Sequence, residues 1–262
     1  MKRIVTALFL VPVGVYSALF APWWIFAGVV ALVASLCFIE YARITSSFAP
    51  LGLVAGLLIL IAPPAEAVLI LILTALAAMC LPLAAADMEQ AVVRSAALLL
   101  GVLYVFGSWK TAILLHDLNA APLRYLSAGR HWLMFGLMVN WIGDTGAYYV
   151  GRRYGRHKLA PAVSPGKTWE GAVASAGTGL VFGLIYLPLA IPGTSFWKAG
   201  FVALAANAAG QVGDLAESAI KRGAGVKDSG TLLPGHGGIL DRVDSTMFAL
   251  PVLYTLLSLF RN

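Results

Sequence analysis

Long apolar runs separated by short polar connections make up most of the chain. A transmembrane helix needs about 20 mostly apolar residues. Nine runs approach or reach that length, near 4–20, 23–39, 48–63, 66–86, 93–115, 132–151, 170–191, 197–220 and 243–260. The opening stretch "MKRIVTALFLVPVGV" also has the basic start and apolar core of a signal peptide, but eight more runs follow, so we expect an uncleaved first helix. The pattern predicts an all-α, polytopic integral membrane protein with about nine transmembrane helices.

Composition excludes a soluble globular domain. Of the 262 residues, 60% are hydrophobic and only 11% are charged, and the mean hydropathy is +0.85, far from the usage of soluble domains. The two cysteines, Cys37 and Cys80, both lie in apolar runs. We therefore expect neither a disulfide framework nor a cysteine metal cluster.

The basic residues indicate an orientation, because Lys and Arg are retained on the cytoplasmic side of short loops. With nine helices and a cytoplasmic N-terminus, thirteen of the eighteen Lys and Arg residues fall on the cytoplasmic side. This arrangement predicts an external C-terminus. It also concentrates positive charge in two cytoplasmic loops, 152–169 and 221–242, where each basic residue near anionic headgroups would contribute about 1 kcal/mol of membrane attraction.

The two halves of the chain differ in polarity. Residues 1–130 hold about five apolar runs with few polar groups, which predicts a transmembrane scaffold. Residues 131–262 hold about four runs in which ionisable and amide groups appear. A charged residue at the bilayer centre costs about 2.5–3.5 kcal/mol, so such groups face a polar cavity or each other and are functional candidates. We therefore predict a C-terminal catalytic region.

Two helices of that region carry polar stripes. In the eighth run one helix face holds five polar side chains at intervals of three and four residues, Asn207, Gln211, Asp214, Ser218 and Lys221. The stripe fits either a functional site or a hydrogen-bonded seam between helices with a Glu217–Lys221 pair. In the sixth run Asn140 and Asp144 share a face, and a structural hydrogen bond explains Asp144 nearly as well as a catalytic role.

The first basic connection reads "GRRYGRHKLAPAVSPGKTWEGAV". Ser164 followed by Pro165 predicts a helix start with a capping hydroxyl. Lys167 and Thr168 would then lie at that start, where backbone N–H groups can bind an anion such as phosphate. There is no GxxxxGK[ST] motif, and capping together with membrane anchoring would explain the segment about as well.

The second basic connection reads "KDSGTLLPGHGGILDRVDS". Its glycines allow turns that bring backbone N–H groups close to a ligand. Asp241 and Asp244 could bind a hard cation or complement a helix dipole. Together with Asp214 and the nearby basic residues they fit a site for Mg²⁺ and polyphosphate. His236 could merely shape its turn, and zinc is not expected because no second His or Cys is near.

The stretch from Ser218 to Asp244, "SAIKRGAGVKDSGTLLPGHGGILDRVD", closely resembles the signature of phosphatidate cytidylyltransferases, also called CDP-diacylglycerol synthases. "SPGKTWEG" and "GDTGAYYVGR" are similar to two upstream blocks of that family. The resemblance covers about residues 140–245, and no motif position departs from the pattern.

This resemblance implies an enzyme of phospholipid biosynthesis. Its reaction would transfer CMP from CTP to phosphatidate, giving CDP-diacylglycerol and pyrophosphate, with Mg²⁺ as cofactor. A second, monovalent cation such as K⁺ is left open. The implied location is the cell's inner (plasma) membrane with the site facing the cytoplasm. The expected partners are membrane lipids and a second copy of the chain in a homodimer. No nucleic acid partner is expected.

The resemblance also suggests a role for each matching residue. Asp214 and Asp241 are the first candidates for metal ligands, followed by Asp244 and Asp144. Phosphates would be bound by basic side chains, namely Lys221, Arg222, Lys227 and Arg242. Another group, with Ser164, Lys167 and Thr168, would bind one phosphate. Glu217 and Ser218 would orient these groups, and Ser218 and His236 would also belong to the cofactor-binding residues. The direct catalytic set would be Asp214, Lys221, Arg222, Asp241 and Asp244.

Three other classes of protein compete with this interpretation. A secondary transporter also uses intramembrane acids, but it needs them near the midplane and in repeated halves, and the sequence has no such repeat. A CDP-alcohol phosphotransferase or a polyprenol-linked transferase is closer in substrate, yet the acidic motif typical of the former is absent. A structural membrane scaffold would not explain the clustering of charge.

Overall fold

The computed structural model describes residues 12–118, 122–123, 126–232 and 237–260. Helices dominate this part of the chain, which confirms the all-α prediction. They are α1 (residues 12–19), α2 (Trp23–Thr45), α3 (Ala49–Ile61), α4 (Pro64–Cys80), α5 (Met88–His116), α6 (Ala128–Tyr154), α7 (Trp169–Ala190), α8 (Phe196–Gly223) and α9 (Leu240–Leu259). A 3₁₀ turn, Leu81–Ala84, follows α4, and Val102–Gly107 forms a π-helical turn inside α5.

Two short antiparallel hairpins lie between helices. Strand β1 (Pro122–Leu123) pairs with β2 (Leu126–Ser127) before α6. Strand β3 (Lys158–Ala160) pairs with β4 (Ser164–Thr168) between α6 and α7. The β3–β4 hairpin lies within the first basic connection and brings it against the ends of α6 and α7.

Within the described ranges, four helices are long and apolar enough to cross a membrane, by length and composition. They are Trp23–Thr45, Pro64–Leu83, Met88–His116 and Trp169–Ala190. Helix α3 is apolar but has only 13 residues. Helices α6, α8 and α9 are 27, 28 and 20 residues long and are more polar in composition. The four predicted metal ligands, Asp144, Asp214, Asp241 and Asp244, lie on these three more polar helices.

The start of α7 corrects one prediction. Ser164 and Pro165 do not begin a helix but belong to β4, and α7 begins at Trp169. Thr168 is its N-cap, and the Thr168 side chain accepts a hydrogen bond from the backbone N–H of Gly171. Pro165 is tolerated because it lies on the edge strand of a two-stranded hairpin. Thr168 offers the same capping chemistry four residues later.

Two basic residues on the predicted external side bind the ends of helices. Lys110 Nζ donates to the backbone carbonyls of Leu60 and Ala62, at 2.9 and 2.6 Å, where α3 ends. Arg130 Nη1 donates to the carbonyl of Leu19 at 2.7 Å, where α1 ends. The last carbonyls of a helix have no partner within it, so these cations satisfy them. The unpaired carbonyls at these helix ends explain why Lys110 and Arg130 are basic although they lie on the predicted external side.

One buried apolar core joins the N-terminal helices to the C-terminal ones. Phe38, Tyr41 and Phe106 are among its largest fully buried side chains. Further along the chain, Phe135 stacks on Phe182 of α7. Helix α6 packs along α7, α8 packs on α7 and α9, and α9 also contacts α2 and α5. Helices α8 and α9 therefore meet close to α2.

Candidate active site

The site forms where α8 and α9 approach closely. A Cβ at Gly213 would lie 2.9 Å from the carbonyl oxygen of Asp244, so only glycine fits this contact. A cavity of about 330 Å³ opens beside it. Its walls are Trp141, Asp144, Asp214, Lys221, Asp228, Asp241, Arg242, Asp244, Ser245 and Thr246. All four predicted metal ligands line this one cavity. Asp228 also lines this cavity, and the sequence analysis did not single it out. It follows Lys227 in the second basic connection.

Asp241 organises the connection between α8 and α9. Its carboxylate accepts the Lys221 ammonium at 2.6 Å, the backbone N–H of Ser229 at 3.0 Å and that of Gly238 at 2.8 Å. Asp241 precedes the predicted ninth transmembrane run. Burial raises the pKa of Asp241, but these hydrogen bonds outweigh it and keep that pKa below its ordinary value. Both of its oxygens are thus engaged within the protein.

Lys221 joins α8 to α9 through Asp241 and also pairs with Glu217 within α8. Its ammonium lies 2.6 Å from Glu217 Oε2 and 2.6 Å from Asp241 Oδ1. The residue is only 9% exposed, so its charge is used mainly to neutralise these acids. The predicted pair between Glu217 and Lys221 therefore exists, and it extends to the start of α9.

The other half of the polar stripe on α8 is a seam between helices. Asn207 Nδ2 donates to Ser175 Oγ of α7 at 3.1 Å. Gln211 Nε2 donates to Asn207 Oδ1 at 2.8 Å and to the carbonyl of Ala172 at 3.2 Å. The two interpretations of the stripe thus apply to different parts of it. Asn207 and Gln211 hold α7 and α8 together, whereas Asp214 and Lys221 line the first cavity.

A second cavity, of about 410 Å³, lies between α6, α7, α8 and the β3–β4 hairpin. Its walls are Asp144, Ala147, Tyr148, Gly151, Arg152, Leu159, Gly166, Lys167, Thr168, Gly171, Ala172, Ser175, Gln211 and Asp214. Asp144 and Asp214 belong to both cavities. Lys167 Nζ lies 2.6 Å from Asp214 Oδ2 and so bridges the hairpin to α8. The two cavities adjoin at these shared carboxylates.

The remaining predicted residues have mixed positions. Ser218 Oγ donates to Asp214 Oδ1 at 3.5 Å, and Arg242 lines the first cavity. Arg222 is exposed and donates to the carbonyls of Val163 and Val226, which ties the two basic connections together. Ser164, Arg222 and Lys227 line neither cavity. His236 lies outside the described residues.

Glu40 of α2 was missed by sequence reasoning. It is 4% exposed and accepts hydrogen bonds from Ser229 Oγ and from the backbone N–H groups of Ile239 and Leu240, at 2.9, 3.1 and 2.9 Å. It thus reaches the same connection as Asp241. Its signal in the sequence was an isolated acid within an apolar run, the pattern that was singled out in α6 and α8.

The carboxylates fit a magnesium ion in number and chemistry. In the part of the chain that the structure describes, no three Asp, Glu, His or Cys side chains are grouped to hold a metal by themselves. At phosphate-transfer sites, however, Mg²⁺ takes one or two carboxylates together with water and substrate phosphates. Asp214 Oδ2 already accepts one cation, the ammonium of Lys167. One or two of the carboxylates of Asp144, Asp214 and Asp244 could therefore serve as ligands, completed by water and substrate phosphates.

Comparison with known proteins agrees with the resemblance seen in the motifs. The sequence profile of the cytidylyltransferase family matches residues 1–260. A phosphatidate cytidylyltransferase of Staphylococcus saprophyticus is 47% identical over 131 residues, which are 50% of this chain and 50% of that protein. The phosphatidate cytidylyltransferases of Staphylococcus haemolyticus and Staphylococcus aureus have the same identity and coverage. The chain thus aligns with about half the length of the curated relatives it matches.

Proposed function

Because the chain belongs to the cytidylyltransferase family, we propose that it is a membrane enzyme that transfers CMP from CTP to phosphatidate. The products are CDP-diacylglycerol, a precursor in phospholipid biosynthesis, and pyrophosphate. The observation that carries this proposal is the pair of cavities that adjoin at Asp144 and Asp214. A reaction between two phosphate-bearing substrates needs two adjoining binding sites, and the charged side chains between them must act on both substrates.

The proposed orientation places both cavities at the cytoplasmic surface of the inner membrane. In this topology nine helices cross the membrane, the N-terminus is cytoplasmic and the C-terminus is external. The positive charge of the connections 152–169 and 221–242 supports it. A soluble trianionic or tetraanionic nucleotide can then reach the site from water, while phosphatidate arrives from the inner leaflet.

Mg²⁺ is the cofactor that suits this site. One or two of the carboxylates of Asp144, Asp214 and Asp244 would hold it, and it would neutralise charge on the phosphate oxygens and on the pyrophosphate leaving group. Ser218 contacts Asp214 Oδ1 at 3.5 Å and orients that carboxylate. Asp241 keeps the start of α9 in place through its backbone hydrogen bonds.

The chain's own residues then position the two substrates. Lys167 at one cavity and Arg242 at the other bind phosphate oxygens and reduce the repulsion between two anions. An oxygen of the phosphatidate phosphate attacks the α-phosphorus of CTP. The new oxygen–phosphorus bond forms while the bond to the bridging oxygen of the pyrophosphate breaks. No general base is required, because a phosphate monoester is already ionised near neutral pH. Catalysis is then positioning and charge neutralisation.

A panel of lipid substrates tests this function. Purified protein in detergent is incubated with CTP and Mg²⁺ and with phosphatidate, diacylglycerol or a polyprenyl phosphate. We expect a cytidine-containing lipid with phosphatidate, one pyrophosphate per product, and no product without Mg²⁺. Turnover with a polyprenyl phosphate in preference to phosphatidate, or none with any lipid, would contradict the proposal. The mass of the same protein in detergent, measured by light scattering, tests the proposed homodimer.

A further inference from the structure

We propose that Glu40 is a positioning residue that clamps the connection between α8 and α9 from the N-terminal half of the chain. The connection comprises residues 224–239, of which 233–236 lie outside the described part. Glu40 lies about 190–200 residues away in sequence from the groups it binds. Its role rests on the proposed function in one respect, since the residues it positions are those of the proposed transfer site.

The first line of support is the set of groups that Glu40 binds. Leu240 and Ile239 supply the backbone N–H groups at the beginning of α9, and Ile239, the N-cap, has no capping side chain of its own nearby. Glu40 Oε1 accepts from Ile239 at 3.1 Å and Oε2 accepts from Leu240 at 2.9 Å. A carboxylate is favourable at a helix N-terminus, both as an acceptor and because of the helix dipole. Glu40 therefore caps α9 from another helix.

The second line of support is that a second carboxylate holds the same strip of backbone. Glu40 Oε2 accepts from the hydroxyl of Ser229 at 2.9 Å, while Asp241 accepts from the backbone N–H groups of Ser229 and Gly238. Ser229 is buried between them. The two acids thus hold the described parts of the connection on both sides of residues 233–236. Asp241 and Arg242, at the cavity wall, lie one and two residues after Leu240.

The glycines of the connection show how closely Glu40 fits. A Cβ at Gly230 would lie 2.6 Å from Glu40 Oε1, and a Cβ at Gly238 would collide with Glu40 Oε2 and Ser229 Oγ. Both glycines therefore leave room for the Glu40 carboxylate. The side chain of Glu40 thus explains why residues 230 and 238 are both glycine. A buried carboxylate without such partners would be strongly unfavourable.

The sharpest variant is Glu40→Gln, which keeps the size of the side chain. One of the two native oxygens becomes an NH₂ group. In either amide orientation that group faces a backbone N–H of Ile239 or Leu240, so at least one hydrogen bond is replaced by a donor facing a donor. Ser35→Ala is the matched control, because Ser35 lies in the same helix and bonds only within it, to the carbonyl of Ala31.

Hydrogen exchange measured by mass spectrometry on the full chain in nanodiscs is the test that needs no activity. We expect peptides covering 229–240 to exchange about tenfold faster in Glu40→Gln, because charge-assisted hydrogen bonds are lost. Exchange in the β3–β4 hairpin, and in Ser35→Ala throughout, should match the wild type. Unchanged exchange of 229–240 in Glu40→Gln would overturn the proposal.

Kinetics provide the second arm. We expect Glu40→Gln to lower kcat by about 10–100-fold, as for groups that support metal ligands, and to raise the Mg²⁺ concentration that gives half the maximal rate. If Glu40→Gln lowered only the yield of folded protein, and the Mg²⁺ concentration for half the maximal rate stayed unchanged, Glu40 would be a purely structural residue. That result would overturn the proposal.

A milder variant covers the case in which Glu40→Gln does not fold. Ser229→Ala removes one donor to Glu40, and we expect faster exchange of 229–240 and a smaller rise in the Mg²⁺ requirement. Wild-type behaviour of Ser229→Ala in both measurements would count against the clamp. If the wild type itself converts no CTP, the proposed function fails, while the exchange measurement still decides the role of Glu40.

Discussion

At the scale of single residues, the site divides its acids between two tasks. Asp241 is bound by Lys221 and by two backbone N–H groups and so holds the start of α9 against α8, whereas Glu217 pairs with Lys221 within α8. Asp144 and Asp214 instead line both cavities. Removing a carboxylate of the second kind should therefore affect chemistry more than folding.

Asp214→Asn tests this division most directly. The amide keeps the size of the side chain but loses the negative charge that attracts Mg²⁺ and pairs with Lys167. We expect the initial rate with CTP and Mg²⁺ to fall by about 100-fold or more, while the gel-filtration profile in detergent stays that of the wild type. Ser218→Ala, which removes only a long hydrogen bond to Asp214, should cost much less. Activity of Asp214→Asn close to the wild type would remove Asp214 from the mechanism.

Lys167 and Lys158 form a matched pair on one hairpin. Lys167 lines the second cavity and pairs with Asp214, whereas Lys158 donates to the carbonyl of Pro165. We expect Lys167→Met to raise KM for one of the two substrates by about 10-fold or more, since a charged hydrogen bond to phosphate is lost. Lys158→Met should leave both KM values nearly unchanged. Equal effects of the two variants would show that the hairpin contributes only general positive charge.

At the scale of elements, helix and hairpin boundaries show where local sequence rules compete. Ser164 followed by Pro165 has the pattern of a helix start, yet Thr168 caps α7 and Ser164 pairs in β4. Both residues offer a capping hydroxyl, and the local pattern cannot choose between them. The choice depends on pairing with β3, which is a contact beyond the segment itself. The polar stripe on α8 was predictable from its spacing, but not its division into a seam and a cavity wall.

The capping assignment predicts a difference between two similar variants. Thr168→Ala removes the hydroxyl that accepts from Gly171 N–H at 3.1 Å. We expect it to lower the free energy of unfolding by about 1 kcal/mol, seen as a lower thermal midpoint in detergent. Ser164→Ala, on the strand, should have a clearly smaller effect. A lower thermal midpoint for Ser164→Ala than for Thr168→Ala would instead indicate that the helix begins at Ser164.

At the scale of the whole molecule, the sequence predicted the acids that line the first cavity, but not the contacts that α2 makes with the connection beside it. Asp144, Asp214 and Asp244 are predicted as site residues because acids inside apolar helices are costly and because the motif around them is specific. Glu40 also is an acid inside an apolar helix, but its partners lie near residues 229–240, and no local pattern connects such distant segments. The division into an N-terminal scaffold, 1–130, and a catalytic region, 131–262, stays a prediction, although the core contains residues of both.

The proposed orientation predicts opposite labelling of two connections. In a chain with Cys37 and Cys80 replaced by Ala, Lys227→Cys should react with a membrane-impermeant maleimide only after the inner membrane of the cells is opened. Pro192→Cys, in the exposed turn between α7 and α8, should react in intact cells. This follows from the retention of basic loops inside. The opposite pattern would reverse the topology and move both cavities to the external side.

The central claim is that the oxygen of a lipid phosphate attacks the α-phosphorus of CTP. It is tested most directly by following two labels in parallel reactions, with ³²P in either the α- or the γ-phosphate of CTP, using purified protein, phosphatidate and Mg²⁺. The account predicts that the α-label moves into the lipid extract and the γ-label into free pyrophosphate. Transfer of the γ-label to the lipid, or release of pyrophosphate without α-label in lipid, would contradict it.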